Sequence, residues 1–103
     1  NFNFVVLDEA PVTIGDDVFI GPNVGIYTAC HSTDPKERNT REEWAKPVTI
    51  GRNCWIGGNV TILPGVTIGE GSTIGAGSVV VKDIPSHSIA VGNPCVVIKE
   101  LED

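Results

Sequence analysis

The chain has 103 residues, 41 % hydrophobic and 19 % charged, which leaves room for one globular domain and is not the composition of a disordered segment. A net charge of -6 with only seven Lys and Arg excludes the basic stripe a nucleic-acid partner requires. No apolar run approaches the roughly eighteen residues of a membrane span.

In chain order, the first segment already keeps a six-residue spacing. Phe2 and Val6 fall on the phase counted back from Ile14, so the chain reads as the C-terminal part of a longer architecture. Asp8 then stands at a position that should point inward. A carboxylate buried without partners is costly, so Asp8 and Glu9 are read either as a site feature or as an ordinary solvated turn. The spacing resumes at Ile14, Ile20 and Ile26, with Gly15 and Gly21 following and Val18, Val24 and Cys30 four places on.

Between Ile26 and Ile50 the same phase falls on Ser32, Arg38 and Trp44, which cannot line an apolar core. Residues 32–47 are therefore expected to leave the repeat as one extruded loop, counted from His31 at its root. Scaffolds commonly carry working residues on such loops, and Trp44 is the large apolar side chain available to anchor this one.

From Ile50 to Val80 an aliphatic residue recurs at every sixth position: Ile50, Ile56, Ile62, Ile68, Ile74 and Val80. Small or aliphatic residues sit four places on, at Cys54, Val60, Val66, Ser72 and Ser78. This is neither the helical period nor the strand period. It is the pattern of an all-β parallel β-helix of hexapeptides, each one short strand and one corner. Gly65, Gly71 and Gly77 would serve corners with unusual backbone angles. Ile50 should then stack over Ile14, Ile56 over Ile20 and Ile62 over Ile26. A β-sandwich would instead show period-two alternation. Residues 84–103, with Pro85, the segment 90–94 and a charged tail, are expected to cap the single domain.

Cys30, Cys54 and Cys95 are an odd number at wide spacing, which fits neither a disulfide framework nor a zinc site. No leader of basic then apolar residues precedes a small-residue cleavage site, so a cytoplasmic location is expected. His31, fixed by the scaffold yet facing outward at the loop root, is the candidate general base. An imidazole with a pKa near ~6.5 can take a proton from a hydroxyl at neutral pH.

The hexapeptide pattern resembles the hexapeptide-repeat acetyltransferases, closest to the maltose and galactoside O-acetyltransferases. The resemblance is carried by Asn1-Phe2-Asn3-Phe4, Val12-Thr13-Ile14-Gly15-Asp16, Ile26-Tyr27-Thr28-Ala29 before His31, and Lys46-Pro47-Val48-Thr49-Ile50-Gly51. Trp55-Ile56-Gly57-Gly58, Pro64-Gly65-Val66-Thr67-Ile68-Gly69 and Gly92-Asn93-Pro94 extend it over nearly the whole chain. It implies a left-handed prism, a homotrimer with active sites between subunits, and acetyl-CoA as acyl donor with no metal required. It aligns the catalytic base with His31, the oxyanion donor with Gly58, and acceptor binding with Asn1, the acidic position Glu9, and Trp55 as a wall of the pocket; Asp8 joins the acceptor side from its break in the inward phase. Trp55 reads equally well as a packing residue between subunits.

Ala76 and Gly77 fall on the cofactor side by the same resemblance, Gly57 joins them because backbone at the corner after Trp55 can be approached closely, and Lys82 and Lys99 match positions that meet CoA phosphates. Lys82 beside Asp83 also reads as a solvated surface pair. The departures are Ser32 where Pro usually follows the histidine, Glu9 for Asp, Gly58 where serine is common, and Val96 where some relatives carry Arg. The expected partners are CoA and a small-molecule hydroxyl acceptor, a sugar or else serine or an antibiotic alcohol. A zinc-dependent reading fails by count, since His31 and His87 are the two histidines. The rival from another class is a non-catalytic β-helix module.

Overall fold

Short strands separated by tight corners wind the chain into a three-sided prism. The structure, a computed structural model, describes residues 5–7, 10–30 and 44–101. The first face stacks β1 (Val5–Leu7), β4 (Gly25–Tyr27), β9 (Thr61–Ile62) and β12 (Val79–Val80) in that order. On the second face are β2 (Val12–Ile14), β7 (Val48–Ile50) and β10 (Thr67–Ile68). The third face carries β3 (Phe19–Ile20), β8 (Trp55–Ile56), β11 (Thr73–Ile74), β13 (Ser88–Gly92) and the outermost β14 (Cys95–Glu100). No helix occurs among the described residues.

The register is the one the hexapeptide spacing requires. Ile14 pairs with Ile50 and Ile50 with Ile68 on the second face. Ile20 pairs with Ile56 and Ile56 with Ile74 on the third, and Val6, Ile26, Ile62 and Val80 form one column on the first. All these pairings are parallel, so each coil satisfies the backbone groups of the next. Stacked columns of aliphatic residues follow. Ile26, Ile50, Ile56, Ile62, Ile68, Ile74 and Val80 are fully buried, each such side chain stabilising the fold by about 1.5–3 kcal/mol. The residues four places on, Cys54, Val60, Val66, Ser72 and Ser78, are buried beside them. Ile14 remains 38 % exposed, because β2 is the end strand of its sheet among the described residues.

Two details differ from the sequence expectation. β5 (Ala29–Cys30) pairs antiparallel with β6 (Trp44–Ala45), and the Lys46 N–H donates to the Thr28 carbonyl at 2.9 Å. The chain therefore leaves the prism after Thr28, and Cys30 lies in a hairpin stem. At the other end the coil runs on past Val80 with one corner shortened: Ile84 bridges to Ile68 and Ala90 pairs with Ile74. The segment expected only to cap thus first supplies another stretch of wall. β14 then turns back antiparallel on β13, and its reversed direction ends the parallel stacking.

Candidate functional site

The three edges of the prism differ in what they expose. The edge between the third and first faces carries the corners after β3, β8 and β11, which place Pro22, Gly58 and Ala76 in one column and Asn23, Asn59 and Gly77 beside them. Asn23, Asn59 and Gly77 have φ of 60°, 59° and 76°, the left-handed region that Asn tolerates and Gly adopts freely. Close stacking selects small residues here. A Cβ on Gly57 would stand 2.6 Å from the Ala76 nitrogen, and one on Gly21 would stand 2.7 Å from the Gly58 nitrogen.

Hydrogen bonding sorts the donors along this edge. The Gly57 N–H donates to the Ile74 carbonyl at 2.8 Å, and the Gly77 N–H to the Gly58 carbonyl at 2.9 Å. Both are spent on joining coils. The N–H groups of Gly58 and Ala76 meet no acceptor among the described residues. The same is true of Arg52 and Glu70 on the edge between the second and third faces, so a free N–H belongs to the corner geometry. What singles out Gly58 is its surroundings. Ala76 and Gly77 are exposed, and nothing lies within 4 Å of a Cβ placed on Gly77.

Trp55 projects from the third face just before this edge. It is 55 % exposed and stacks on Phe19 of the neighbouring strand, 49 % exposed, with ring centroids 4.4 Å apart and planes tilted by 32°. Phe19 is a neighbour of this candidate site that the sequence did not single out. Its signal was present, since it precedes Ile20 as Trp55 precedes Ile56 and so shares the same outward column.

The two lysines lie apart from one another. Lys99 is exposed on β14 and pairs with Ile89, in the column that continues from Trp55 through Thr73. Three strand spacings of ~4.8 Å put it about 14 Å from Trp55 along the face. Lys82 is exposed at the corner after β12, on the edge between the first and second faces. Neither forms an ion pair with a described residue. Asp83 accepts the Thr67 N–H at 2.8 Å instead of turning toward Lys82. His31, Asn1, Asp8 and Glu9 lie outside the described residues, as does most of the loop. The hairpin stem that leads to His31 rises from the edge between the first and second faces, next to Thr28 and Lys46.

Cys54 and Cys95 are buried free thiols. Burial pushes both upward from their ordinary pKa, against backbone hydrogen bonds from Ser72 and Gly71 for Cys54 and against the Ser78 hydroxyl for Cys95. In both, the upward shift disfavours the thiolate, the form in which a cysteine acts as nucleophile. No group of three His, Cys, Asp or Glu side chains able to hold a metal occurs among the described residues.

Residues 47–82 match the family model "Bacterial transferase hexapeptide (six repeats)", and residues 11–29 match "Hexapeptide repeat of succinyl-transferase". The galactoside O-acetyltransferase of Escherichia coli is 50 % identical over 103 residues, spanning 100 % of this chain and 51 % of that protein. The crystal structure of a maltose O-acetyltransferase from Clostridium difficile superposes with a TM-score of 0.90 and 53 % identity over 98 % of this chain and 57 % of that one. A hexapeptide-repeat acetyltransferase from Vibrio cholerae, solved with acetyl coenzyme A, superposes with a TM-score of 0.92 and 48 % identity over 98 % of this chain and 55 % of that one. The chain spans about half the length of the curated relatives it matches. The shared fold is a left-handed parallel β-helix, the hand that the periodicity alone does not specify.

Proposed function

The chain belongs to the hexapeptide-repeat transferases, and from that premise we propose that it serves an acetyl-CoA-dependent O-acetyltransferase acting on a hydroxyl of a sugar of the maltose or galactoside kind. The observation that carries this reading is the edge between the third and first faces. There the unspent N–H of Gly58 stands one coil from the open backbone of Ala76 and Gly77, beside the Trp55–Phe19 pair. An extended acyl donor would lie along the column, with Gly57 beneath Ala76 and the exposed ammonium of Lys99 on the adjoining face. The two stacked rings offer an apolar platform to the C–H face of a sugar.

In the proposed reaction His31 takes the proton from the acceptor hydroxyl as its oxygen attacks the thioester carbonyl. The tetrahedral oxyanion accepts a hydrogen bond from the Gly58 N–H, a donor that is not spent between coils. The C–S bond then breaks, and the thiolate leaves with the proton returned by His31. Asn1, Asp8 and Glu9 are assigned to the acceptor side, and Lys82 to the phosphates of the donor.

The reading includes a homotrimer with sites between subunits, and the positions of the edges support it. The stem leading to His31 and the corner of Gly58 lie on different edges of one prism. A six-residue side at ~3.3 Å per residue puts those edges up to about 20 Å apart, whereas a base must come within about 3 Å of the proton it removes. Two prisms side by side bring unlike edges together, and the same packing gives Lys82 a neighbour's donor to meet. A cytoplasmic location is part of the proposal, in keeping with the free thiols of Cys54 and Cys95.

The test is acceptor-dependent thiol release from acetyl-CoA over a panel of sugars, serine and antibiotic alcohols. A sugar should support turnover, and His31→Ala should lower kcat by roughly 10²–10⁴-fold. Turnover unchanged in that variant overturns the assignment of the base. Absence of both turnover and CoA binding by calorimetry returns the chain to a purely structural module.

A further inference from the structure

The last full coil carries serine where the coils below carry a larger residue. Ser72 follows Cys54 in one column of small positions, and Ser78 follows Val24 and Val60 in another. Both serines are fully buried, so their hydroxyls must find partners inside the protein. Each does so by tying the last coil to the cap. The Ser72 hydroxyl donates to the Pro85 carbonyl at 2.7 Å and accepts the Ser88 N–H at 3.2 Å. The Ser78 hydroxyl donates to the Gly75 carbonyl at 2.6 Å and accepts the Gly92 N–H at 3.0 Å.

The two ties differ in what they hold. Ser72 sits at the edge between the second and third faces, away from Gly58. Ser78 closes the corner that contains Ala76 and Gly77, because the bond to Gly75 spans that corner from its last residue to its first. Its second bond fixes the start of the turn 92–94 against the same corner. At the corresponding corners below, Val24 and Val60 have no hydroxyl to offer the carbonyls of Gly21 and Gly57. We propose that Ser78 is a positioning residue for the acyl donor, its hydroxyl holding the Gly75–Gly77 corner and the turn beginning at Gly92 as one rigid binding edge. This rests on the reading of that edge as the donor site. Pre-ordering a backbone surface removes an ordering cost from binding, so its loss weakens affinity for the donor while leaving the chemical step alone.

Threonine and valine are nearly isosteric, and the column already holds Val60, so Ser78→Thr and Ser78→Val differ chiefly in the hydroxyl. In the intact protein, Ser78→Val is expected to raise KM for acetyl-CoA about ten-fold with kcat and the acceptor KM within about two-fold, and Ser78→Thr to stay within about two-fold of the unsubstituted protein throughout. Ser72→Val is the control. It removes an equivalent tie to the cap and lowers Tm, but leaves KM for acetyl-CoA where it was. Equal KM values for the threonine and valine variants overturn the proposal, and so does an equal rise in Ser72→Val, which would make cap anchoring the whole effect. If the unsubstituted protein neither turns over acetyl-CoA nor binds CoA, the donor-site reading itself falls, and it is the unsubstituted protein that shows this.

Discussion

At Gly58 the backbone can be tested without touching a side chain. The residue one coil below it in the column is Pro22, so the corner already accepts proline, and Gly58 is not among the residues with positive φ. Gly58→Pro therefore deletes the N–H while adding ring carbons and the Cβ, 3.2 Å from the Pro22 carbonyl oxygen, that Gly58→Ala shares. It is expected to lower kcat by about 10²–10³-fold, the usual cost of one oxyanion donor. Gly58→Ala keeps the N–H. Its Cβ would stand 3.2 Å from the Pro22 carbonyl oxygen, a tight contact relieved by a small shift, so it should retain most of the activity. Steady-state kinetics with the two variants side by side decides the matter: a proline variant as active as the alanine variant removes Gly58 from the mechanism. The glycine matters at Gly57 for another reason, since that N–H is bound to Ile74 and the missing side chain makes room for Ala76.

Individual strands are only two or three residues long over most of the prism, far too short to be stable alone. Their stability comes from the columns they complete. Ile62 is fully buried and paired on both sides, with Ile26 and Val80. Ile62→Ala should cost about 2–5 kcal/mol, a transfer term plus a cavity that stacked neighbours on both sides cannot close. Denaturant unfolding measures it, and a cost below about 1 kcal/mol would mean that the coils relax independently. The hairpin stem β5–β6 shows the opposite logic. It interrupts the repeat, yet the coil is resumed in register because Lys46 bonds back to Thr28 and Ile50 lands on Ile14. An insertion that leaves and returns at one edge costs the prism little, which is how a regular scaffold can carry an irregular working loop.

For the whole molecule, the separation of the His31 stem from Gly58 makes shared sites testable by mixing. His31→Ala and Gly58→Pro subunits should each be nearly inactive alone. Assembled together in equal amounts at random in a cyclic homotrimer, about a quarter of the sites would join an intact histidine from one subunit to an intact Gly58 from its neighbour. Activity should recover to about that fraction of the unsubstituted protein. No recovery in co-assembled mixtures would place the base and the oxyanion donor in one chain. Size and composition of the mixed assemblies are read by native mass spectrometry.

The hexapeptide spacing alone determined the architecture, the stacking partners of Ile14, Ile20 and Ile26, and the place where the chain departs from the prism to within a few residues. These were legible because a β-helix repeats one local rule, so the phase of an aliphatic residue fixes both its face and its neighbour in the next coil. His31, Trp55 and Gly58 were readable as candidates from their positions relative to that phase and from resemblance. What only the tertiary structure decided is how groups distant in sequence share one edge. It showed that the Gly57 N–H is consumed between coils while that of Gly58 is not, that Phe19 lies under Trp55, and that Ser78 clasps Gly75 to Gly92. It also showed that Cys30, in phase by count, belongs to the hairpin stem. Each of these depends on which backbone group faces which across neighbouring coils, and hydrogen bonds made across that gap leave no mark on the spacing of side chains along the chain.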